Sequence, residues 1–284
     1  MDTKVSSASR EVTISYDRPT VLIGERINPT GKRKLAAALL AGDMDEVRAE
    51  ARAQVQAEAD ILDVNVGAAG VDEVAVLPQA VKAVMEVVDV PLCLDSHNPR
   101  ALEAALRVYR GKPIINSVNG QESVLAEVLP LVKEYGAAVI GLTMDDEGIP
   151  QEPERRLAIA RKIIERAEAA GIPKEDVIID CLTLTIGSNS KAGWITLEAI
   201  RGVKQEFGVN QTLGASNVSF GLPNREVINN AFIAIAITAG VTCPTVNVAK
   251  VRPTVLSADM ILGRDNHSLR YIRAYRRSLA ASEG

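Results

Sequence analysis

Acids and amides recur at the ends of short apolar runs along this chain. Asp95 closes "PLCLD", Asn116 closes "KPIIN", Asp180 closes "DVIID", and Asn217 ends "QTLGASN". Comparable places carry Glu25 and Asn28, Asp63 and Asn65, Thr143 and Asp145, and Asn247. A polar group at the end of a buried run costs free energy unless something pairs with it. Asp95, Asn116, Asp180 and Asn217 end runs too apolar for surface turns, and we read them as binding groups. Asp63, Asn65, Asp145 and Asn247 fit turn-making or helix capping equally well. Apart from the flanking Arg26 and His97 the set holds no cation, so it is poorly suited to grip phosphate or to act as a nucleophile–base pair. It suits a neutral planar heterocycle. A carboxylate accepts two hydrogen bonds from an N–C–NH2 edge, and an amide both donates and accepts. The pterin ring has such an edge.

Eight short β-rich runs must position these groups: "TVLIGE" (20–25), "DILDVN" (60–65), "PLCLDS" (91–96), "KPIINS" (112–117), "AAVIGLT" (137–143), "DVIID" (176–180), "QTLGASN" (211–217) and "VTCPTVN" (241–247). Amphipathic stretches separate them. In "QEPERRLAIARKIIERAEAAG", Leu157, Ala160, Ile163, Ile164 and Ala167 fall on one face, with Glu and Arg on the other. Asn98–Pro99 reads as a helix start and Gly171 with Pro173 as a stop. Alternating β and α units of this number predict a single-domain (β/α)8 TIM barrel over residues 20–263. In that fold the active site lies at the C-terminal strand ends, where the acids and amides stand. An open doubly wound sheet is the alternative, but no GxGxxG turn marks one. Residues 1–19 show a weak alternation around Val12, Ile14 and Tyr16, which fits a hairpin plugging the barrel floor. Residues 264–284 read as a basic C-terminal helix with Leu269, Ile272 and Leu279 along one side.

Composition narrows the function. A net charge of −4 with 3% aromatic residues argues against a nucleic-acid surface. No apolar run reaches the roughly 20 residues a membrane helix needs. The first twenty residues lack the apolar stretch of a secretory signal, so a cytoplasmic protein is expected. Three dispersed cysteines, Cys93, Cys181 and Cys243, and two histidines offer no metal-ligand spacing. His97 and His267 read as packed or solvated rather than chemical, and Trp194 as loop packing. Met144, following a strand, could line the mouth, as could Glu25, Asn28, Asp63, Asn65, Ser219 and Arg225.

Seven motifs, "VLIGERINPTG", "ILDVNVG", "LCLDSHNP", "INSVNG", "AAVIGLTMDDEGIP", "IIDCLTLTIG" and "GASNVSFGLPNR", resemble in this order the methyltetrahydrofolate:corrinoid-protein methyltransferases and the folate-binding domain of cobalamin-dependent methionine synthase. The resemblance spans about residues 20 to 262. It implies that Asp95, Asn116 and Asp180 hold the pterin's polar edge, that Asn217 hydrogen-bonds near N5, and that Gly214 lets the backbone approach the ring. It implies tetrahydrofolate or methyltetrahydrofolate as substrate, no bound metal, and a homodimer. The corrinoid would come from a partner protein, because no Asp-x-His-x-x-Gly cobalamin loop is present. Asn217 would be the catalytic group, since an amide can accept from N5–H+ or donate to neutral N5. The chain also resembles dihydropteroate synthase more distantly. That enzyme carries a lysine in a Ser-Arg-Lys-Ser-type motif where "SNVSF" stands here, which argues against condensation chemistry. Phe220, where a polar side chain can occur, is a further departure. A noncatalytic folate-binding subunit is the third reading.

Overall fold

The computed structural model describes residues 1–282; residues 283 and 284 of the basic tail lie outside the described residues. An antiparallel hairpin comes first, β1 (Thr3–Ser6) paired with β2 (Glu11–Ile14). Then β3 (Ile23–Ile27) is followed by α1 (Arg33–Leu40) and α2 (Asp45–Gln56), β4 (Ile61–Asn65) by α3 (Glu73–Met85), and β5 (Leu92–Asp95) by α4 (Pro99–Leu106). Next, β6 (Ile114–Asn119) is followed by α5 (Glu122–Glu134), β7 (Ala138–Leu142) by α6 (Pro153–Ala169), and β8 (Val177–Asp180) by α7 (Ala192–Glu206). Finally, β9 (Gln211–Thr212) leads to α8 (Arg225–Ala239), and β10 (Thr245–Val246) to α9 (Val248–Ile261) and α10 (Leu269–Ser282).

The parallel strands β3 to β9 lie in chain order, with β10 beside β3. A parallel bridge between Gly214 and Thr245, and the Thr245 N–H donating to the Leu213 carbonyl at 3.0 Å, bring the two sheet edges together. The result is a (β/α)8 barrel. Strand side chains alternate faces with a period of two. Ile23, Ile61, Cys93, Ile114, Ala138, Ile140, Ile178 and Cys243 form an apolar layer inside the barrel. The intervening Leu62, Leu94, Ile115, Val139 and Ile179 pack outward under the helices. Val5, Val12 and Ile14 of the hairpin join the inner layer. Asn210 ties that hairpin down, its Nδ2 donating to the Ile14 carbonyl at 3.0 Å and to Thr3 Oγ1 at 2.9 Å.

Helix punctuation follows local chemistry. Asn98 caps α4, accepting from the Arg100 N–H at 3.0 Å, with Pro99 in the first turn. Gly171, at φ +78°, takes the left-handed turn after α6. One helix face departs from the sequence expectation. The buried stripe of α6 runs through Arg156, Ile159, Ala160, Ile163, Ile164 and Ala167, so Arg156 belongs to the inner face rather than the solvated one. Its guanidinium is needed there, because it satisfies carbonyls of the loop after β8. The run ending at Asn217 also stops short as a strand: Ala215–Ser219 turns into a 3-10 helix over the barrel end. In α10 the apolar residues Leu269, Ile272 and Leu279 are exposed. Among the described residues no helix is long and apolar enough to cross a membrane.

Candidate active site

Strand periodicity places the polar ring. Asp95 stands two residues after Cys93, Asn116 two after Ile114, and Asp180 two after Ile178, so each shares the inward face of its strand. Asp63 and Asn65 follow Ile61 on β4 in the same way, and Glu25 follows Ile23 on β3. Asn65, Asp95 and Asp180 end their strands, whereas Asp63 and Asn116 lie midway along theirs. The apolar layer below closes off water and the barrel mouth opens above.

The ring has two halves. On one, Asn65 Nδ2 donates to Asp95 Oδ2 at 2.8 Å, and Asn116 Nδ2 donates to Asp63 Oδ1 at 3.2 Å. Asn65 Oδ1 meanwhile accepts from the Gly67 N–H at 2.8 Å, which fixes its orientation. Burial raises both carboxyls, Asp63 well above the usual carboxylate range because the Asp95 charge adds to its desolvation. Two adjacent carboxylates in a dry site cannot both ionise readily. Asp63 and Asn65 are members of this network, not helix caps.

On the other half, burial pushes Asp180 up to about 6, against hydrogen bonds from the Leu182 and Gly214 N–H groups and the Arg156 charge. The Leu182 bond to Asp180 Oδ1 is 2.7 Å. Gly214 links this carboxylate to Asn217. Its N–H serves Asp180, and a Cβ added to it would stand 3.2 Å from Asn217 Nδ2. The Asn217 backbone is held by its N–H to the Gly214 carbonyl at 3.3 Å and by its carbonyl accepting from Phe220 at 3.1 Å. Its side chain is exposed and has no hydrogen-bond partner among the described residues.

Other residues divide. Glu25 accepts from Ser216 Oγ at 3.1 Å and is raised by burial, despite Arg26, Lys32 and Arg225 nearby. It lines a cavity of about 270 Å³ with Arg225 and Asn247. A second cavity of about 400 Å³ is lined by Asn65, Glu73 and His97. Asn28 Oδ1 accepts from the Thr30 N–H at 2.9 Å in a local turn, and Met144 is half-buried beyond β7. Asp145 makes a turn and pairs with Arg155 at 3.2 Å, which is the bland role. Ser219 is fully buried, bonded to Asn229 at 2.7 Å and to Arg225 at 3.0 Å, so it anchors the 3-10 helix to α8 instead of opening onto the mouth. Arg225 stacks over exposed Phe220, 5.8 Å from its ring centre. Sequence reasoning missed Arg156, whose only signal was its place three residues before Ile159 in the buried stripe.

Fold and site define a (β/α)8 barrel whose lumen ends in buried carboxylates and amides. Residues 24–247 match the pterin binding enzymes, and the chain belongs to that family. It is 34% identical over 262 residues to the methionine synthase of Mycobacterium leprae, covering 88% of this chain and 22% of that protein. The methionine synthase of Mycobacterium tuberculosis is equally similar, also at 34% over 262 residues, with the same coverage of each. The chain thus spans about a fifth of those relatives. Over its length it is comparable to the methylcorrinoid:tetrahydrofolate methyltransferase of Eubacterium limosum, 26% identical over 90% of this chain and 96% of that one. In fold it is similar to the dihydropteroate synthase of Yersinia pestis bound to a pterine-sulfa conjugate, with a TM-score of 0.71 and 17% identity over 91% of this chain and 98% of that one.

Proposed function

We propose that this protein moves a methyl group between N5 of tetrahydrofolate and the cobalt of a corrinoid carried by a partner protein. The observation that carries the reading is the meeting of Asp180, Gly214 and Asn217 on one side of a polar lumen. Asp95, Asn116 and Asp180 hold the donor-rich edge of the pterin, and Asn217 presents a free amide to N5. A neutral amine nitrogen is a poor leaving group, so hydrogen bonding that favours charge at N5 lowers the barrier selectively in the transition state. The reduced corrinoid supplies the nucleophile. The chain's own part is to orient the ring, stabilise N5 and leave the methyl group facing outward. The names of the methionine synthases and the Eubacterium limosum enzyme support this reading. We include in it a homodimer and a cytoplasmic setting, the former checked by sedimentation.

Dihydropteroate synthesis is the alternative, favoured by the fold likeness alone. Against it, the segment after β9 presents Asn217 and buried Val218 with no lysine. Mixing the protein with methyltetrahydrofolate and reduced free cobalamin should produce the methylcobalamin spectrum at a protein-dependent rate. Folate binding without that spectrum would leave a noncatalytic binding subunit. Dihydropteroate formation from a dihydropterin pyrophosphate and p-aminobenzoate, with release of pyrophosphate, would establish the synthase.

The close approach at Gly214 makes a smaller prediction. Its φ of −73° is open to alanine, so Gly214→Ala should leave thermal stability nearly unchanged. The added methyl, 3.2 Å from Asn217 Nδ2, should displace that amide by a few tenths of an ångström. We expect about a tenfold fall in transfer rate. Single-turnover kinetics with a melting curve on the same sample would check it, and an unchanged rate would remove the amide from the reacting geometry.

A further inference from the structure

We propose that Arg156 is a positioning residue for pterin recognition, acting through the backbone of Cys181 and Leu182 to aim the Asp180 carboxylate. This rests on the reading of Asp180 as a pterin-binding group. Arg156 is fully buried, yet among the described residues it forms no salt bridge with a carboxylate. Its Nη1 donates to the Cys181 carbonyl at 2.6 Å, to the Leu182 carbonyl at 2.8 Å and to Thr196 Oγ1 at 3.2 Å, while Nε donates to the Pro150 carbonyl at 2.8 Å. Nη2 has no partner. A buried cation is costly, and a core position on α6 could be filled by a leucine or methionine without that cost. The conformation it holds explains the guanidinium.

Leu182 sits at φ +56°, a left-handed backbone that side-chain-bearing residues rarely adopt and that persists only where its surroundings over-determine it. Two groups do so here. Arg156 Nη1 and Thr196 Oγ1 both bind the Leu182 carbonyl, the latter at 3.0 Å. Held in that turn, Leu182 points its N–H at Asp180 Oδ1, 2.7 Å away. The chain Arg156, Leu182, Asp180 therefore couples a buried cation, through the turn two residues after Asp180, to a fixed carboxylate direction.

Charge acts in the same sense. The titratable groups facing this turn are Arg156 and Glu152 from α6, and the buried thiols of Cys181 beside it and Cys243 before β10. The Asp63–Asp95 pair belongs to β4 and β5, across the barrel from β8. Among the described residues Arg156 is the cation acting on Asp180, and after the Leu182 and Gly214 N–H groups it too opposes the burial that lifts the carboxyl to about 6. The ionised carboxylate is the form that accepts from N–H donors.

The test is tetrahydrofolate affinity against pH, for wild type and four variants. Wild-type affinity should rise with pH through a step with a midpoint near 6, and Asp180→Asn should remove that step. Arg156→Met should move the midpoint up on the order of one pH unit and lower plateau affinity about tenfold. Arg156→Lys keeps the charge without the fork, so its midpoint should stay while its plateau falls. Thr196→Val should lower the plateau several-fold, again without moving the midpoint. A purely structural arginine would depress thermal stability and leave midpoint and plateau in place, which would overturn the positioning role. Wild-type protein that binds no tetrahydrofolate would overturn the reading of the site itself, and the inference with it. If Arg156→Met does not fold, Thr196→Val decides: unchanged plateau affinity overturns the proposal.

Discussion

Asn217→Ala should slow methyl transfer from methyltetrahydrofolate to reduced cobalamin by about 10²–10³-fold, the loss that follows removal of one transition-state hydrogen bond in a preorganised site. The fold should not register the change. The side chain is exposed and unpartnered among the described residues, and the 3-10 helix is held by backbone bonds to Gly214 and Phe220. Melting temperature should therefore match wild type. The Michaelis constant for the folate should change little if, as proposed, Asp95, Asn116 and Asp180 hold the ring and the amide contributes most where charge develops at N5. Single-turnover measurement at saturating folate separates the two effects. A variant within threefold of wild type would show that N5 is stabilised elsewhere, and the catalytic assignment would fall.

The lumen ring was legible because it obeys a local rule. Each of Asp95, Asn116 and Asp180 follows an inward apolar residue by two positions, and a strand's alternation carries that face to the mouth without knowledge of any neighbour. Asn217 was legible only through motif order, since it lies beyond the strand on a 3-10 turn that no period announces. What stayed hidden depends on non-local pairing. That Asn65 meets Asp95 and Asp63 meets Asn116 follows from β4 lying beside β5 and β5 beside β6, and "DILDVN" alone fits a cap as well. Ser219 looked like a mouth residue by proximity to Asn217, but Asn229 on α8 turns it inward. Arg156 sits among charged neighbours in "PERR", and its place three residues before Ile159 in the buried stripe was its only signal. The loop carbonyls it serves lie 25 and 26 residues away in sequence.

Asp180→Asn should separate stability from binding, moving them in opposite directions. In the folded chain burial lifts this carboxyl from 3.8 to about 6, so between those values the folded state binds more protons than the unfolded one. Stability is then highest below the unfolded value, falls as pH rises through the interval, and levels off above about 6. The ionised carboxylate therefore costs the empty fold up to about 3 kcal/mol at pH 8. Asparagine keeps the shape and an oxygen for the Leu182 N–H, and it carries no charge. With one of the two backbone N–H bonds given up, the variant should be more stable than wild type at pH 8 by part of that figure, in chemical denaturation without ligand. Pterin affinity should fall about 10- to 100-fold at pH 8, the loss of a charged hydrogen-bond acceptor. An aspartate retained for the fold would show the reverse, a less stable variant with its affinity intact. A residue that weakens the empty barrel and strengthens the bound one has its place in the sequence because of the ligand.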